Sequence, residues 1–365
     1  MINDVMNVYT RIVWLFIAMT LPVVNVANSV EAQELPSPQQ EFEYEQVFPT
    51  EPWSEVRLLR TLEGHNTAVD ALTFAPDDKV LLSGGSYNDA HLRLWWVRTG
   101  TQIESIRAQR TAVTALAFSP DGQTLATIGD DSGVNLWDWP SKEYTRHFLN
   151  HTQNLLSMAI TPDSQVLVTG GLPGIRLWNL RTQRPIYTLV RFDHFAYALQ
   201  VNPADGYTLA SGNEKGDITF WNLRTGGRNS INQAHRDRIS DLTFTQDGQT
   251  LITASDDRTI KVWDVDNSSK RLRLRFTLTG HTSKVRDIVL HPEGKVLASG
   301  SQDGVRIWNI ETGQLLKHFY AHEDWVQSLA FNRDGTILAT GGFDNLIKLW
   351  ENAVPSEEPT VVVER

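Results

Sequence analysis

Residues Ala234–Asp264 read AHRDRISDLTFTQDGQTLITASDDRTIKVWD. After a polar loop, Ile239, Leu242 and Phe244 form a loose apolar series. QDGQ follows as a turn, with Gly248 where a left-handed backbone costs least, and LITAS continues as a second strand. DDRT makes the next turn, and TIKVW alternates polar with apolar, β-branched residues, as a half-buried strand does. Three or four strands of this size cannot bury a core alone, so the unit needs copies of itself to stack on.

The tryptophan that ends the third strand recurs at Trp95, Trp137, Trp178, Trp221, Trp263, Trp308 and Trp350, at intervals of 42, 41, 43, 42, 45 and 42 residues. A period of about 40 to 45 residues with four short strands per unit is that of a propeller blade. Seven copies predict an all-β, seven-bladed β-propeller of four-stranded antiparallel blades.

Further anchors recur in register. His235, Thr253, Asp257 and Trp263 lie 18, 4 and 6 residues apart, and His322, Thr340, Asp344 and Trp350 repeat that spacing unchanged. His65, Ser83, Asp89 and Trp95 match with two residues inserted in the turn, and His281, Ser299, Asp303 and Trp308 match with one deleted. Three units are incomplete. The second keeps Thr127, Asp131 and Trp137 but has Gln109 for the His; the third keeps His151, Thr169 and Trp178; the fourth keeps Ser211 and Trp221. The pattern resembles the WD40-repeat family over residues 56–351, whose members carry a His before the first strand, a small hydroxyl residue in the second, an Asp in the next turn and Trp-Asp closing the third. Blades three and four, with most anchors missing, are expected to be the less rigid.

The four side chains have a physical rationale apart from any family. An indole N–H, a hydroxyl, an imidazole and a carboxylate satisfy one another in a buried chain, and removing one strands its neighbour at about 1–3 kcal/mol. A Ser, His and Asp constellation is also what a hydrolase uses. A catalytic set occurs once, however, and this one repeats in four blades.

Residues 1–32 differ from the rest. Ile12–Val24 (IVWLFIAMTLPVV) is an apolar run preceded by Arg11 and followed by VNVANSVEA. It is short for a membrane span, which takes about 20 residues, and reads as a secretory signal peptide, with an uncleaved N-terminal anchor as the alternative. Export to a periplasm or cell exterior is the expected location. Gln33–Glu55 holds six acids, four prolines and no base, and reads as an acidic linker; Phe42, Tyr44, Phe48 and Trp53 are the exception, with resting on the propeller's side as the alternative for them. Arg57–Leu62 is then a lone strand, while the last unit stops after its third. The resemblance implies that this strand completes the seventh blade from outside; otherwise that blade leaves an open edge. Residues 352–365 read as a disordered acidic tail.

The chain of 365 residues has no Cys, which excludes disulfides, thiolate metal sites and a Cys nucleophile. Its net charge of −10 resides outside the repeats: residues 1–32 carry −1, the linker −6 and residues 351–365 −3, leaving the repeat body near neutral. Such a body does not attract nucleic acid or anionic lipid, so membrane contact is expected only through an uncleaved N-terminal segment. No Walker loop, G-x-S-x-G or H-E-x-x-H occurs, and no cofactor or metal is expected. His147/His151 and His318/His322 are spaced by four but straddle strand and loop.

In the resembled family the tetrad loops open at the narrower end of the channel, the usual peptide-binding surface. Positions three and five after the His, and one before the Asp, are expected to be exposed there. They yield an uneven set: Phe195, Tyr197, Arg238, Lys284, Arg286, Trp325 and Phe343 gather on blades four to seven, while Asp70, Asn88, Ala112, Thr114 and Asp130 fall on blades one and two. Aromatics and Arg dominate interface energetics, so the arc is the candidate partner-binding surface, suited to an acidic or aromatic extended segment. The acidic EFEYEQVF of the linker has that character, which raises self-occlusion as a second possibility. The expected function is a non-catalytic protein-interaction scaffold. The rival, a propeller enzyme or metal binder, needs His, Asp or Glu converging on the channel from several blades.

Overall fold

The computed structural model describes residues 51–353 except 131–132, 142, 150–154, 172–173, 190–194 and 232. The expectations placed on residues 1–50 and 354–365, and on His151 and Asp131, fall outside these. Among the described residues there are 28 strands in seven four-stranded antiparallel sheets. Ile239–Phe244, Thr250–Ser255, Ile260–Asp266 and Arg271–Leu278 make the fifth blade, and the other blades repeat that order from inside to outside. The innermost strand of each blade packs on that of the next, and Val326–Phe331 of blade seven packs on Val69–Phe74 of blade one, so the ring closes.

Val56–Leu62 pairs antiparallel with Ile347–Asn352 and supplies the fourth strand of blade seven. It imitates a native outer strand closely. In blades one, two, three, five and six the fourth strand skips one residue opposite the Trp, and the N-terminal strand does the same between Leu58 and Arg60, opposite Trp350 and Leu349. Blade four pairs without that bulge.

The core is divided among the blade interfaces. Each cluster joins one blade's inner strands to the next blade's, and each third-strand Trp packs toward the preceding blade: Trp95 against Leu62 and Ile347, Trp263 with Ala210 and Phe220, Trp308 with Ile252 and Val262. Second strands are buried on both faces; Thr250–Ser255 is buried throughout. Complete burial of a Val, Ile or Leu side chain contributes about 1.5–3 kcal/mol, and Ile252, Ile260, Val262 and Leu297 at the seam of blades five and six are all inaccessible to solvent. The turn at Gly248 shows why glycine stands there: φ is +65°, and a Cβ would lie 2.1 Å from the Asn202 side chain of blade four.

The seam between blades six and seven has an addition. Trp53, which the linker reading covered, is 1% exposed and sits edge-on to Phe331 at 5.1 Å, within the cluster formed by Val296, Ile307, Leu338 and Trp350. Its backbone N–H donates to Asn352 Oδ1 at 3.0 Å, Lys317 Nζ reaches Glu55 at 2.9 Å, and Asn309 Nδ2 reaches Glu51 at 3.4 Å. Trp53 holds φ at 67°, an uncommon value for a bulky residue. Burial of the indole offsets that cost.

Candidate partner-binding face

Four blades carry the full hydrogen-bonded chain. In blade one Trp95 Nε1–H donates to Ser83 Oγ at 2.8 Å, Ser83 lies 2.7 Å from His65 Nε2, and His65 Nδ1 lies 3.0 Å from Asp89. Trp263–Thr253–His235–Asp257 runs at 2.9, 2.8 and 3.0 Å, Trp308–Ser299–His281–Asp303 at 2.8, 2.7 and 2.7 Å, and Trp350–Thr340–His322–Asp344 at 3.1, 2.7 and 2.8 Å. The distances suit a chain in which the indole fills one lone pair of the hydroxyl, the hydroxyl proton goes to Nε2, and Nδ1–H donates to the carboxylate. Burial lowers the pKa of His65 and His281. Asp89, Asp257, Asp303 and Asp344 are held below the ordinary carboxylate range: burial opposes ionisation, and the His hydrogen bond with other donors outweighs it.

A fifth participant escaped the sequence reading. Arg93 Nη1 donates to Asp89 at 2.7 Å, and Arg306 Nη1 to Asp303 at 2.6 Å. Lys261 and Lys348, at the same place two residues before the Trp, donate instead to the carbonyls of Ala234 and Ala321. The periodic base at that position (Arg93, Arg176, Lys261, Arg306, Lys348) was the available signal. In blade two, Gln109 Nε2 donates to Thr127 Oγ1 at 3.1 Å and Trp137 to the same hydroxyl at 3.2 Å, while Gln109 Oε1 has no partner among the described residues. Trp178 with Thr169 (3.1 Å) and Trp221 with Ser211 (2.9 Å) keep the inner half of the chain in blades three and four.

Above the tetrads, the innermost strands of blades one, three, four, five and seven each bulge at the position five after the His: Asp70, Leu156, Tyr197, Ser240 and Gln327. A bulge re-aims the side chain that it carries. All five, with Thr114 and Arg286 from the two remaining blades, line a cavity of about 300 Å³ to which every blade contributes. The position therefore faces the channel rather than the outer rim.

The arc residues fall into two linked groups. Phe195 and Tyr197 lie with ring centroids 5.8 Å apart, and Arg238 stacks over Tyr197 at 4.7 Å. Arg238 also pairs with Asp256 at 3.0 Å, and Lys284 reaches the same carboxylate at 3.0 Å. Asp256 is not the exposed position expected of the residue before the tetrad Asp. Its side chain is 4% accessible and lies beneath the two cations. Arg286 stacks over Trp325 at 4.7 Å, and the Phe343 N–H donates to the Trp325 carbonyl at 2.9 Å, leaving the Phe343 ring 43% exposed. Each arginine thus reaches across a blade boundary to a ring on the neighbouring blade. Such stacks contribute about 0.5–2 kcal/mol.

Acids also enter the channel. Asp70, Asp241 and Asp287 line the cavity. Asp241 and Asp287 take a place that is Ala or Ser in the other five blades: Ala71, Ala115, Ser157, Ala198 and Ser328. Asp241 accepts N–H donors from Leu242 (2.8 Å) and Ile288 (3.1 Å), and Asp287 accepts Leu329 N–H at 2.6 Å. Their oxygens bind the inner strands of blades five, six and seven together, as Ser328 Oγ does by donating to the Val69 carbonyl at 2.9 Å. Burial raises both pKa values, and Asp241 beside it pushes Asp287 well above the carboxylate range. His318, one of the histidines spaced by four, lies 2.7 Å (Nε2) from the Asp303 carbonyl, while His322 belongs to the tetrad.

Comparison with known proteins agrees with this geometry. A family model described as IFT122 first beta-propeller matches residues 52–304, and one described as WD domain, G-beta repeat matches residues 313–351. Among curated relatives, the Periodic tryptophan protein 2 homolog of Schizosaccharomyces pombe is 26% identical over 256 residues, covering 58% of this chain and 30% of that protein. Nuclear distribution protein PAC1 of Komagataella phaffii is 32% identical over 171 residues, 43% of this chain and 34% of its own length. The PAC1 of Arthroderma otae is 23% identical over 368 residues, covering 90% and 78%. The chain spans about a third of the first two. These relatives overturn the location expected from residues 1–32. Proteins of fungi named for nuclear distribution are not proteins of a periplasm or cell exterior, and an apolar run of 13 residues is too weak a signal to stand against them. Export is therefore not the location of this chain's relatives, and that expectation is corrected. With seven blades, a closing N-terminal strand and four Trp–hydroxyl–His–Asp chains in place, the chain belongs to the WD40-repeat β-propellers.

Proposed function

We propose that this propeller is a non-catalytic interaction scaffold that binds an extended segment of a partner protein on its tetrad-loop face, through Phe195, Tyr197, Arg238, Lys284, Arg286, Trp325 and Phe343. One observation carries the reading: these residues, distant in sequence, lie on four consecutive blades and interlock through two arginine–aromatic stacks. Preorganised Arg and aromatic groups are the anchors that dominate interface free energy, because little side-chain entropy is left to lose on binding. The neighbouring tetrads support them by fixing the loops from below.

The rival reading would use the channel acids. Asp241 and Asp287 are engaged by backbone N–H groups of three strands. That engagement suits a structural staple between blades better than an acid–base pair, which must keep an oxygen for substrate.

The test is affinity capture from native cells with the full chain beside a variant carrying Arg238→Glu, Arg286→Glu and Trp325→Ala. A partner held through this face is lost from the variant, since each hot-spot truncation costs about 2 kcal/mol or more. Equal retention of all partners by both baits places the interaction elsewhere.

A further inference from the structure

Arg286 stands apart from the other cations of the face. Arg238 and Lys284 both end on Asp256. Arg286 has no carboxylate at ion-pair distance and no hydrogen-bond acceptor among the described residues; its Nε is sealed from water without a partner, and its one close contact of note is the Trp325 ring. Burial, the largest cause, lowers its pKa, with Asp256 and Asp70 acting only at longer range. A guanidinium is cationic at neutral pH even so. The protein has therefore half-buried a cation, set its guanidinium against an indole and left the end of its fork without a protein acceptor among the described residues, in a cavity that every blade lines.

Two features of the cavity define what fits. Its volume of about 300 Å³ is at the small end of ligand sites and suits one inserted side chain rather than a cofactor-sized molecule. Its other walls carry Asp70, Asp241 and Asp287, whose pKa values are raised by burial, so an incoming anion is opposed in proportion to the charge it brings. A single carboxylate matches one guanidinium in charge and in two-pronged geometry; a dianionic phosphate does not.

We infer that the channel mouth seats one acidic side chain, Asp or Glu, of an extended peptide, held end-on by the two Nη groups of Arg286 while Trp325 fixes the guanidinium plane. This rests on the tetrad-loop face being the binding surface and specifies what that surface recognises. The other two cations share one carboxylate, Asp256, whereas Arg286 has no ion-pair partner among the described residues, which makes it the specificity-determining residue.

The experiment probes immobilised decapeptides of random flanking sequence, with Glu, Gln, Lys or phosphoserine fixed at the centre, using the full chain. Selected peptides are then measured by fluorescence anisotropy against the wild type, Arg286→Gln, Arg286→Lys and Arg238→Gln. Glu-centred peptides should bind about tenfold or more tightly than their Gln counterparts, the worth of a charge-assisted hydrogen bond. That ratio should fall to about one in Arg286→Gln, survive in part in Arg286→Lys and persist in Arg238→Gln. The unfolding midpoint checks that each variant is folded. Equal binding of Glu and Gln peptides, a preference for phosphoserine, or a Glu preference that survives Arg286→Gln overturns the inference. If binding shows no acidic preference yet disappears in Trp325→Ala, the face remains the binding surface and only the carboxylate seat is wrong. No selection of any peptide, or selection indifferent to every change, sinks both.

Discussion

Blade six and blade two are built on the same repeat, and the contrast between them shows how one scaffold divides its labour. Blade six has the full chain from Trp308 to Asp303 with Arg306 added, and it presents Lys284 and Arg286 above it. Blade two substitutes Gln109 for the His, leaves Gln109 Oε1 without a partner among the described residues, and has at the matching positions Thr114 and an Ala112 that is buried rather than exposed as expected. Long charged side chains stand on the blade with the complete chain, and small ones on the blade with Gln109. A half-buried arginine set against a ring needs a fixed loop beneath it. A seam shows the same asymmetry: blades six and seven are sealed by the extra indole of Trp53, whereas the cluster between blades two and three contains only residues of those two blades.

The largest expected effect bears on that seam. Trp53→Ala removes a buried indole whose neighbours come from both blades, and should cost about 3–5 kcal/mol in urea unfolding; a loss under about 1 kcal/mol would mean that the seam is held by the Val56–Leu62 strand alone. Next comes the tetrad itself. His281→Ala strands both the Ser299 hydroxyl and Asp303, for about 1–3 kcal/mol, while Gln109→Ala loses a single donor and should cost about 1 kcal/mol. Equal penalties in the two blades would erase the contrast drawn above.

Acid should separate the blades further. The lowered pKa values of His65 and His281 mean that the unfolded chain binds protons that the folded one excludes, so stability falls as pH drops below about 6.5, the unfolded value. The paired aspartates, with depressed folded pKa values, lose their contribution only at lower pH, below about 4. Replacing His281 with Gln, as blade two has it, should flatten the slope of stability between pH 5 and 7; an unchanged slope would show that His281 does not contribute to it. The smallest effect has the opposite sign. Asp287 has a raised folded pKa, so the stability linked to its protonated form is present at low pH and lost as pH rises through that value. Asp287→Asn mimics the protonated acid and can donate to Asp241. It should leave stability at pH 4 unchanged and gain about 1 kcal/mol at pH 8, measured by thermal or urea unfolding at the two pH values.

Much of this architecture is legible without coordinates because it is periodic. Trp263 and its six counterparts announce the blades, and the spacing from His to hydroxyl to Asp is set by two hairpins of fixed length, so hydrogen-bond partners can be read as offsets. What escaped the reading is not periodic or needs the ring closed. The bulge that turns Asp70, Tyr197 and Ser240 into the channel leaves no mark on alternating polarity. Asp256 looks like any loop acid until Lys284, from the next blade, folds over it. Trp53 is intermediate between the two cases: its aromatic character offered docking as an alternative to a linker, and only its burial between blades six and seven decides for it.

The sequence by itself determined the number of blades, the side chains that tie each one and the strand that closes the ring, since all three follow from local spacing and from the need to leave no edge unpaired. Tertiary structure alone decided which cations are paired with a carboxylate and which is left without one. Arg238 and Arg286 are the same residue in the same kind of stack, and only the arrangement of neighbouring blades places Asp256 beneath one and an open cavity beside the other. Charge pairing depends on distance through space, and that distance is fixed only when the ring closes.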